Sequence, residues 1–201
     1  LFAQGSLTPP GPPAPTMKTL SQIEPRIPLS STATPGNATN VFIIAQPGSY
    51  YLMSNLIGVA GQNGVRIQAQ DVSLDLNGFA VVGVAGSLAG ISVPATQQNL
   101  TIRNGTIRNW GGAGLDALSS RCLVDQLHVA HNSANGINVG PGSLVRQCLV
   151  ANNYFGIQTL TDSQVTGCIV LSNSAGIVVG DGATVRDCTS SRNQSGNGIF
   201  A

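Results

Sequence analysis

The chain has 201 residues, of which 42% are hydrophobic and only 8% are charged, against about a quarter in an average soluble domain. Its formal net charge of +1 is too small to concentrate a nucleic acid or an anionic membrane, so we expect neither as a partner. Twenty-five glycines and 4% aromatic residues disfavour a helical bundle and favour an all-β repeat protein, and the most apolar stretch, 79–93, is too short for a membrane-spanning helix.

The first predicted segment, residues 1–39, is rich in proline. Its run of prolines between residues 9 and 15 is typical of an extended polyproline-II arm that buries no core of its own. We hypothesise that a neighbouring subunit holds this arm. The candidate assembly residues of the arm are Pro9, Pro10, Pro12 and Pro13. The opening Leu1-Phe2-Ala3-Gln4 is similar to the end of a secretory signal, so the expected location is secreted or at the cell surface.

Repeats fill the rest of the chain. Residues 40–63 are predicted as a β capping segment and residues 64–201 as stacked repeats, in which a glycine followed by an aliphatic residue recurs at intervals that settle to 20 to 22 residues. Short alternating strands between Gly- or Asn-bearing turns indicate half-buried β structure. One such repeat cannot bury its own apolar face and must stack on its neighbours. The sequence therefore predicts an all-β parallel solenoid of about six to seven coils behind an extended Pro-rich arm.

Two side-chain ladders are predicted from the spacing. An asparagine stands eight residues after each of four aliphatic anchors, and it suits a turn because it tolerates left-handed backbone and can bond to the same amide in the next coil. The asparagine ladder consists of Asn132, Asn153, Asn173 and Asn193. A cysteine ladder, Cys148, Cys168 and Cys188, stands three residues after the anchors, with Cys122 out of register. We expect reduced thiols that fill space as small apolar groups.

Three segments carry a resemblance to a known family. They are Pro47-Gly48-Ser49-Tyr50-Tyr51-Leu52, Val72-Ser73-Leu74-Asp75-Leu76-Asn77-Gly78-Phe79 and Leu100-Thr101-Ile102-Arg103-Asn104-Gly105-Thr106-Ile107-Arg108. These segments are similar to the opening coils of secreted bacterial right-handed parallel β-helix proteins of the pectate-lyase-like superfamily. The resemblance covers about residues 40–201 and implies a right-handed parallel β-helix. It leaves function open, because that superfamily includes polysaccharide lyases, glycoside hydrolases, tailspikes and adhesins.

A row of mostly charged residues follows the aliphatic anchors. Its members are Asp75, Arg103, Asp125, Arg146, Thr166 and Arg186. The resemblance implies that in a lyase Asp75 and Asp125 would hold calcium while Arg103 or Arg146 removed a proton beside a uronate carboxylate. The alternative is an alternating charge ladder on a solvated face, worth about 0–1 kcal/mol per pair. We favour the ladder, because each acid sits between arginines with no second carboxylate beside it, and we expect no cofactor outside the lyase interpretation.

Other candidate groups have ordinary structural explanations. His128 and His131 lie near Asp125 but lack a third metal ligand at suitable spacing, so a surface pair is favoured. Asp162 and Asp181 are typical turn residues, with a cation or a sugar hydroxyl as the alternative partner. Trp110, Tyr154 and Phe155 are predicted to pack in turns, the alternative being a platform for sugar rings.

The C-terminal end predicts assembly. The segment 197–201 is typical of the first strand of another coil, and no cap follows, so Ile199 and Phe200 are candidate assembly residues. The predicted function is a non-catalytic extracellular structural protein whose β-helical subunits bind copies of themselves head to tail in a filament. The alternatives are a secreted polysaccharide lyase or glycoside hydrolase, and a glycan-binding adhesin with an extracellular polysaccharide as partner.

Overall fold

A computed structural model describes residues 23–118, 120–194 and 198–200. The predicted assembly residues Pro9, Pro10, Pro12 and Pro13 and the signal-like Leu1-Phe2-Ala3-Gln4 lie outside the described residues. Within the described ranges, none of the helical structure is long and apolar enough to cross a membrane.

Twenty-two short strands make up the regular structure of the described residues. In chain order they are Ile27–Pro28 (β1), Pro35–Asn37 (β2), Asn40–Ile44 (β3), Gly48–Tyr51 (β4), Leu56–Ile57 (β5), Asn63–Ile67 (β6), Val72–Asp75 (β7), Ala80–Val82 (β8), Ile91–Val93 (β9), Gln98–Arg108 (β10), Leu115–Ala117 (β11), Ser120–Ala130 (β12), Ile137–Val139 (β13), Leu144–Arg146 (β14), Leu149–Ala151 (β15), Phe155–Thr159 (β16), Gln164–Thr166 (β17), Ile169–Leu171 (β18), Ala175–Val178 (β19), Thr184–Arg186 (β20), Thr189–Ser191 (β21) and Ile199–Phe200 (β22).

The strands stack into three faces of a parallel solenoid. Face 1 has the strand order β1-β4-β7-β10-β12-β14-β17-β20, and face 3 has the order β2-β3-β6-β9-β11-β13-β16-β19-β22. Face 2 joins face 1 around a corner and contains β5, β8, the C-terminal halves of β10 and β12, β15, β18 and β21. Every pairing is parallel except that of β2 with β3. The predicted parallel solenoid is therefore confirmed.

The solenoid has about eight turns, where the spacing predicts six to seven. The early coils are longer and less regular: one coil separates Arg66 from Ser92, 26 residues apart, whereas Asn153 and Asn173 are 20 residues apart. A count based on a constant period misses coils whose turns contain extra residues. The stacking also begins before residue 64, because β3, β4 and β5 of the predicted capping segment each pair in parallel with the next coil.

Part of the segment predicted as an arm, residues 1–39, is paired in strands. Strand β1 pairs with β4, and β2 folds back on β3, so residues 27–37 are part of the solenoid. The prolines of this region are compatible with strands because Pro28 and Pro35 lie in strands at the end of the stack. There a missing backbone N–H costs no ladder hydrogen bond.

Stacked rows of mostly aliphatic side chains fill the interior, and each face contributes at least one such row. Most inward positions hold a buried Val, Leu or Ile that stacks on its equivalent in the next coil, although Tyr50 and Ser190 also occupy such positions. The row of face 3, for example, is Val65, Ile91, Leu115, Ile137, Ile157 and Ile177. Burial of each such side chain is worth about 1.5–3 kcal/mol before entropy. Stacked aliphatic rows therefore supply a core with few aromatic residues.

Candidate functional site

The charged row lies on face 1, with one member in each coil. The strand register places Asp75 beside Arg103, Arg103 beside Asp125, and Asp125 beside Arg146. Thr166 and Arg186 continue the row in the next two coils. Strand stacking, rather than any loop, thus brings together the four residues that the lyase interpretation requires.

Asp75 has partners for both of its carboxylate oxygens. Its Oδ2 forms an ion pair with Arg103, at 3.1 Å from Nη2, and lies 3.6 Å from Nη1 of Arg26. Its Oδ1 accepts hydrogen bonds from the backbone N–H of Asn77 at 2.8 Å and from Nδ2 of Asn104 at 3.1 Å. Arg26, Asn77 and Asn104 were missed by the sequence analysis. The two asparagines could have been predicted, because Asn77 and Asn104 stand close to Asp75 and Arg103 in the sequence. Nothing in the repeat spacing points to Arg26.

Arg26 connects the first described residues to face 1 through side-chain contacts. Its guanidinium lies 4.7 Å from the ring centroid of Tyr51 and forms an ion pair with Glu24 at 2.8 Å. Hydrogen bonds from Arg26 lower the pKa of Glu24 to about 2. Because both side chains of this pair are in contact with solvent, the pair orients the chain more than it stabilises the fold.

Asp125 is buried and has one cationic partner. Its Oδ2 accepts a hydrogen bond from Nη2 of Arg146 at 2.9 Å, and this bond raises the pKa of Arg146. Its Oδ1 is buried without a hydrogen-bond partner among the described residues. Calcium requires about six to eight oxygen ligands, and here each carboxylate is neutralised by arginine. Asp75 and Asp125 therefore do not fit a calcium ion, and Arg103 and Arg146 are ion-pair partners of these carboxylates.

The other polar candidates stay apart from this row. His128 points outward on face 2 and His131 occupies a corner with left-handed backbone, φ 57°. Asp162 donates its backbone N–H to the carbonyl of Asp181 in the next coil at 2.9 Å, as turn residues do. In the part of the chain that the structure describes, no group of three or more His, Cys, Asp or Glu side chains is arranged to hold a metal ion.

The asparagines stack through the interior of the corner between faces 2 and 3. The backbone N–H and Nδ2 of Asn132 both donate to Oδ1 of Asn153 at 3.0 Å. Asn153 donates in the same way to Asn173, and Asn173 to Asn193. Nδ2 of Asn153 also donates to the carbonyl of Ala151 at 2.9 Å. Each internal amide thus has partners in its own coil and in both neighbouring coils.

Left-handed backbone, however, falls one residue earlier than predicted. The positive φ angles belong to His131, Asn152, Ser172 and Arg192, which precede the four asparagines. The preceding residue makes the sharp turn of the corner, and this turn directs the next side chain inward. The ladder positions therefore select asparagine for its amide, not for its backbone preference.

Trp110 begins this ladder and is fully buried, with 1% of its surface exposed. Its backbone N–H donates to Oδ1 of Asn132 at 3.0 Å, and its indole Nε1 donates to the carbonyl of Val81 at 3.1 Å. A Cβ atom on Gly58 or Gly64 would come within 3 Å of the indole ring, so glycines of the earlier coils make room for it. Trp110 is therefore a core residue and cannot stack on a sugar ring.

The cysteines Cys148, Cys168 and Cys188 stack at one position in three successive coils, as free thiols. Each Sγ lies against the carbonyl oxygen two residues before it, at 3.1–3.4 Å. A hydrogen bond between the first two thiols raises the pKa of Cys148 and lowers that of Cys168. Burial raises the pKa of Cys188, and it raises that of the separate Cys122 to about 12.

The exposed Tyr154 and the half-buried Phe155 form an aromatic pair on the described surface. Their ring centroids are 4.6 Å apart, and 53% of Tyr154 is exposed. They lie at the start of β16, on the edge of face 3. Of the three predicted aromatic candidates, the structure therefore leaves these two accessible to a ligand.

Comparison with known proteins agrees with the fold. The family model for the right-handed β-helix region matches residues 39–201. Neither the curated proteins nor the solved structures give a match. The resemblance to right-handed parallel β-helix proteins is confirmed, and the chain belongs to the right-handed β-helix family.

Proposed function

We propose that this chain is a non-catalytic, extracellular structural protein whose β-helical subunits associate head to tail in a filament. The supporting observation is the apolar, half-paired end of the described solenoid. In the described residues, β20, β21 and β22 each pair with a strand on one side. Ile199 continues the buried row of face 3 beyond Ile177, yet 49% of its surface is exposed. A further coil stacked on β22 would bury it, and the proposal assigns that coil to a second copy of the chain.

The opposite end offers a complementary surface. Strand β5 pairs with β8 on one side only within the described chain, and its Ile57 is 58% exposed. Beside it lies an apolar groove of about 180 Å³, in which Met53 is 52% exposed. The groove is lined by Leu29, Val41, Phe42, Leu52, Met53, Ser54, Asn55, Leu56 and Ile57. Addition of a strand to an open edge beside an apolar groove is a common mode of association.

A catalytic role has less support. The carboxylates of the charged row are engaged by arginines, and the lyase and hydrolase interpretations both require accessible carboxylates. A repeated head-to-tail contact between identical solenoids requires only that the two ends match, and it produces an open filament when the rotation does not close a ring.

Electron microscopy and analytical ultracentrifugation of the purified chain test this proposal. We expect filaments whose length grows with protein concentration, and we expect Ile199→Asp or Met53→Asp to leave monomers with an unchanged far-UV circular dichroism spectrum. The matched control is Ile169→Asp, because Ile169 is 47% exposed on the outer side of face 2 and belongs to neither terminal coil of the described solenoid. Monomers of the unaltered chain at high concentration would contradict the proposal.

A glycan-binding adhesin is the second candidate, and the exposed Tyr154–Phe155 pair favours it. A sugar ring would stack on Tyr154, with the half-buried Asn138 and Gln158 of face 3 as neighbouring hydrogen-bonding groups. Glycan-array binding that is lost in Tyr154→Ala and kept in Ile169→Asp supports this candidate. Binding that is equal in the two variants rules out Tyr154 as its anchor.

A further inference from the structure

We propose that Cys168 and Cys188 are a modification site, at which a low-molecular-weight disulfide oxidises the two thiols to an intramolecular disulfide between two neighbouring coils of the solenoid. The inference is independent of filament assembly, because both thiols belong to one chain and lie within its own stack.

The stacking brings these thiols together. The residues that follow them, Ile169 and Thr189, are register partners on β18 and β21, so the two cysteines occupy equivalent positions one coil apart. Parallel strands are about 4.7–4.9 Å apart, which lies within the Cα separation that a disulfide spans. The sulfur of Cys188 also accepts the backbone N–H of Cys168 at 3.5 Å, so it already reaches toward the neighbouring coil.

The position of the pair in the stack favours it over the equivalent pair of Cys148 and Cys168. Stacked side chains point the same way, so bond formation requires the two Cβ atoms to approach by a few tenths of an ångström or more. Cys148 and Cys168 are held between buried coils, whereas Cys188 is partly exposed and its coil has the lightly packed β21 as its face 2 strand. Cys188 is thus the most accessible of the three stacked thiols to a reagent.

The chemistry is two thiol–disulfide exchanges. The thiolate of Cys188 attacks one sulfur of oxidised glutathione, which forms a mixed disulfide and releases one glutathione thiolate. The thiolate of Cys168 then attacks Sγ of Cys188, forms the intramolecular bond and releases the second glutathione. The protein loses two protons and two electrons, and one oxidised glutathione becomes two reduced molecules. Hydrogen bonding that lowers the pKa of Cys168 supports its role in the second step.

Thiol counting tests the proposal. The reduced, folded chain is incubated with oxidised glutathione, then denatured, alkylated with N-ethylmaleimide and weighed by mass spectrometry. We expect alkylation of four thiols before oxidation and a loss of two afterwards, with peptide mapping that joins Cys168 to Cys188. Amide hydrogens of β21 should exchange more slowly in the oxidised chain, because the bond holds its coil in place.

Two matched variants distinguish the pairing. Cys148→Ser should still lose two thiols, whereas Cys188→Ser should form no intramolecular bond and keep all three of its thiols available for alkylation. Retention of four thiols by the unaltered chain, a stable glutathione adduct at Cys188 without a cross-link, or a bond that contains Cys148 would each overturn the proposal. Circular dichroism before oxidation shows whether each variant is folded.

Discussion

At the scale of single residues, the buried asparagine amides have the strictest hydrogen-bonding requirements in this solenoid. A buried amide costs free energy unless its donors and its acceptor are all paired. Asn153 meets this condition because its Oδ1 accepts two hydrogen bonds from Asn132 and its Nδ2 donates to Asn173 and to Ala151. The amide therefore links three coils, which an aliphatic side chain of similar size cannot do.

Replacement of Asn153 by alanine should lower the free energy of unfolding by about 3 kcal/mol, because it leaves two donors of Asn132 buried without an acceptor. Urea denaturation measures this loss. The matched control is Asn138→Ala, which removes one half-exposed hydrogen bond to Asp116 and should cost about 1 kcal/mol, since water can replace that bond. Equal losses in the two variants would show that the ladder adds no stability.

Cys122 should make the free energy of unfolding depend on pH in the alkaline range. Burial raises its pKa from its ordinary value of 9.0 to about 12, so above pH 9 the unfolded chain releases this proton while the folded chain keeps it. The free energy of unfolding should then fall by about 1.4 kcal/mol per pH unit for this thiol, with the full contribution retained below pH 9. Urea midpoints measured across this range should fall less steeply in Cys122→Ala. An unchanged slope would exclude Cys122 as the source.

At the scale of elements, glycines let neighbouring coils approach at the start of each face 3 strand. A Cβ atom on Gly156 would lie 2.7 Å from the carbonyl oxygen of Gly176 and 2.8 Å from Nδ2 of Asn173. Equivalent contacts recur at Gly114 and Gly136. The recurrent glycine is therefore a packing requirement of the asparagine corner, which explains why the two residue types recur together in the sequence.

Gly156→Ala should destabilise the chain by about 1–3 kcal/mol, because the carbonyl of Gly176 is fixed by strand pairing and cannot move aside. The control is Gly78→Asn, at a left-handed turn position, φ 79°, with no atom within 4 Å of its Cβ direction. Asparagine tolerates that backbone, so the control should change stability by less than about 1 kcal/mol. Similar unfolding free energies in the two variants would contradict the packing explanation.

The elements that sequence predicted well are those with a constant period. The asparagine and cysteine positions follow a fixed spacing from an aliphatic anchor, and the strand register reproduces that spacing. Features that depend on unequal coils were missed, including the total number of turns and the cradle of Trp110. The burial of Trp110 depends on glycines about 20 to 52 residues earlier in the chain, and no local pattern reveals that contact. The contact between Arg26 and Asp75 was missed because it too joins residues far apart in the sequence.

At the scale of the whole molecule, charge is sparse. Only 8% of the residues are charged, and the ion pairs Asp75–Arg103 and Asp125–Arg146 occupy one row on face 1. The exposed side chains proposed to meet at the two ends, Ile57, Met53 and Ile199, are apolar, although the last described coil also carries the exposed Arg186 and Arg192. The proposed association therefore depends on apolar burial and backbone hydrogen bonds more than on ionic contacts.

Filament formation should accordingly change little between about 0.05 M and 0.5 M sodium chloride, because salt screens charges but leaves apolar and backbone contacts in place. Sedimentation of polymer at equal protein concentration measures the effect. A severalfold loss of polymer at the higher salt concentration would show instead that ionic contacts hold the subunits together.

The asparagine ladder also has a direction. The backbone N–H of each ladder residue from Trp110 to Asn173 donates to the asparagine Oδ1 of the coil that follows it in the chain. We therefore expect that a coil of the nascent chain completes its asparagine hydrogen bonds only after the next coil has been synthesised.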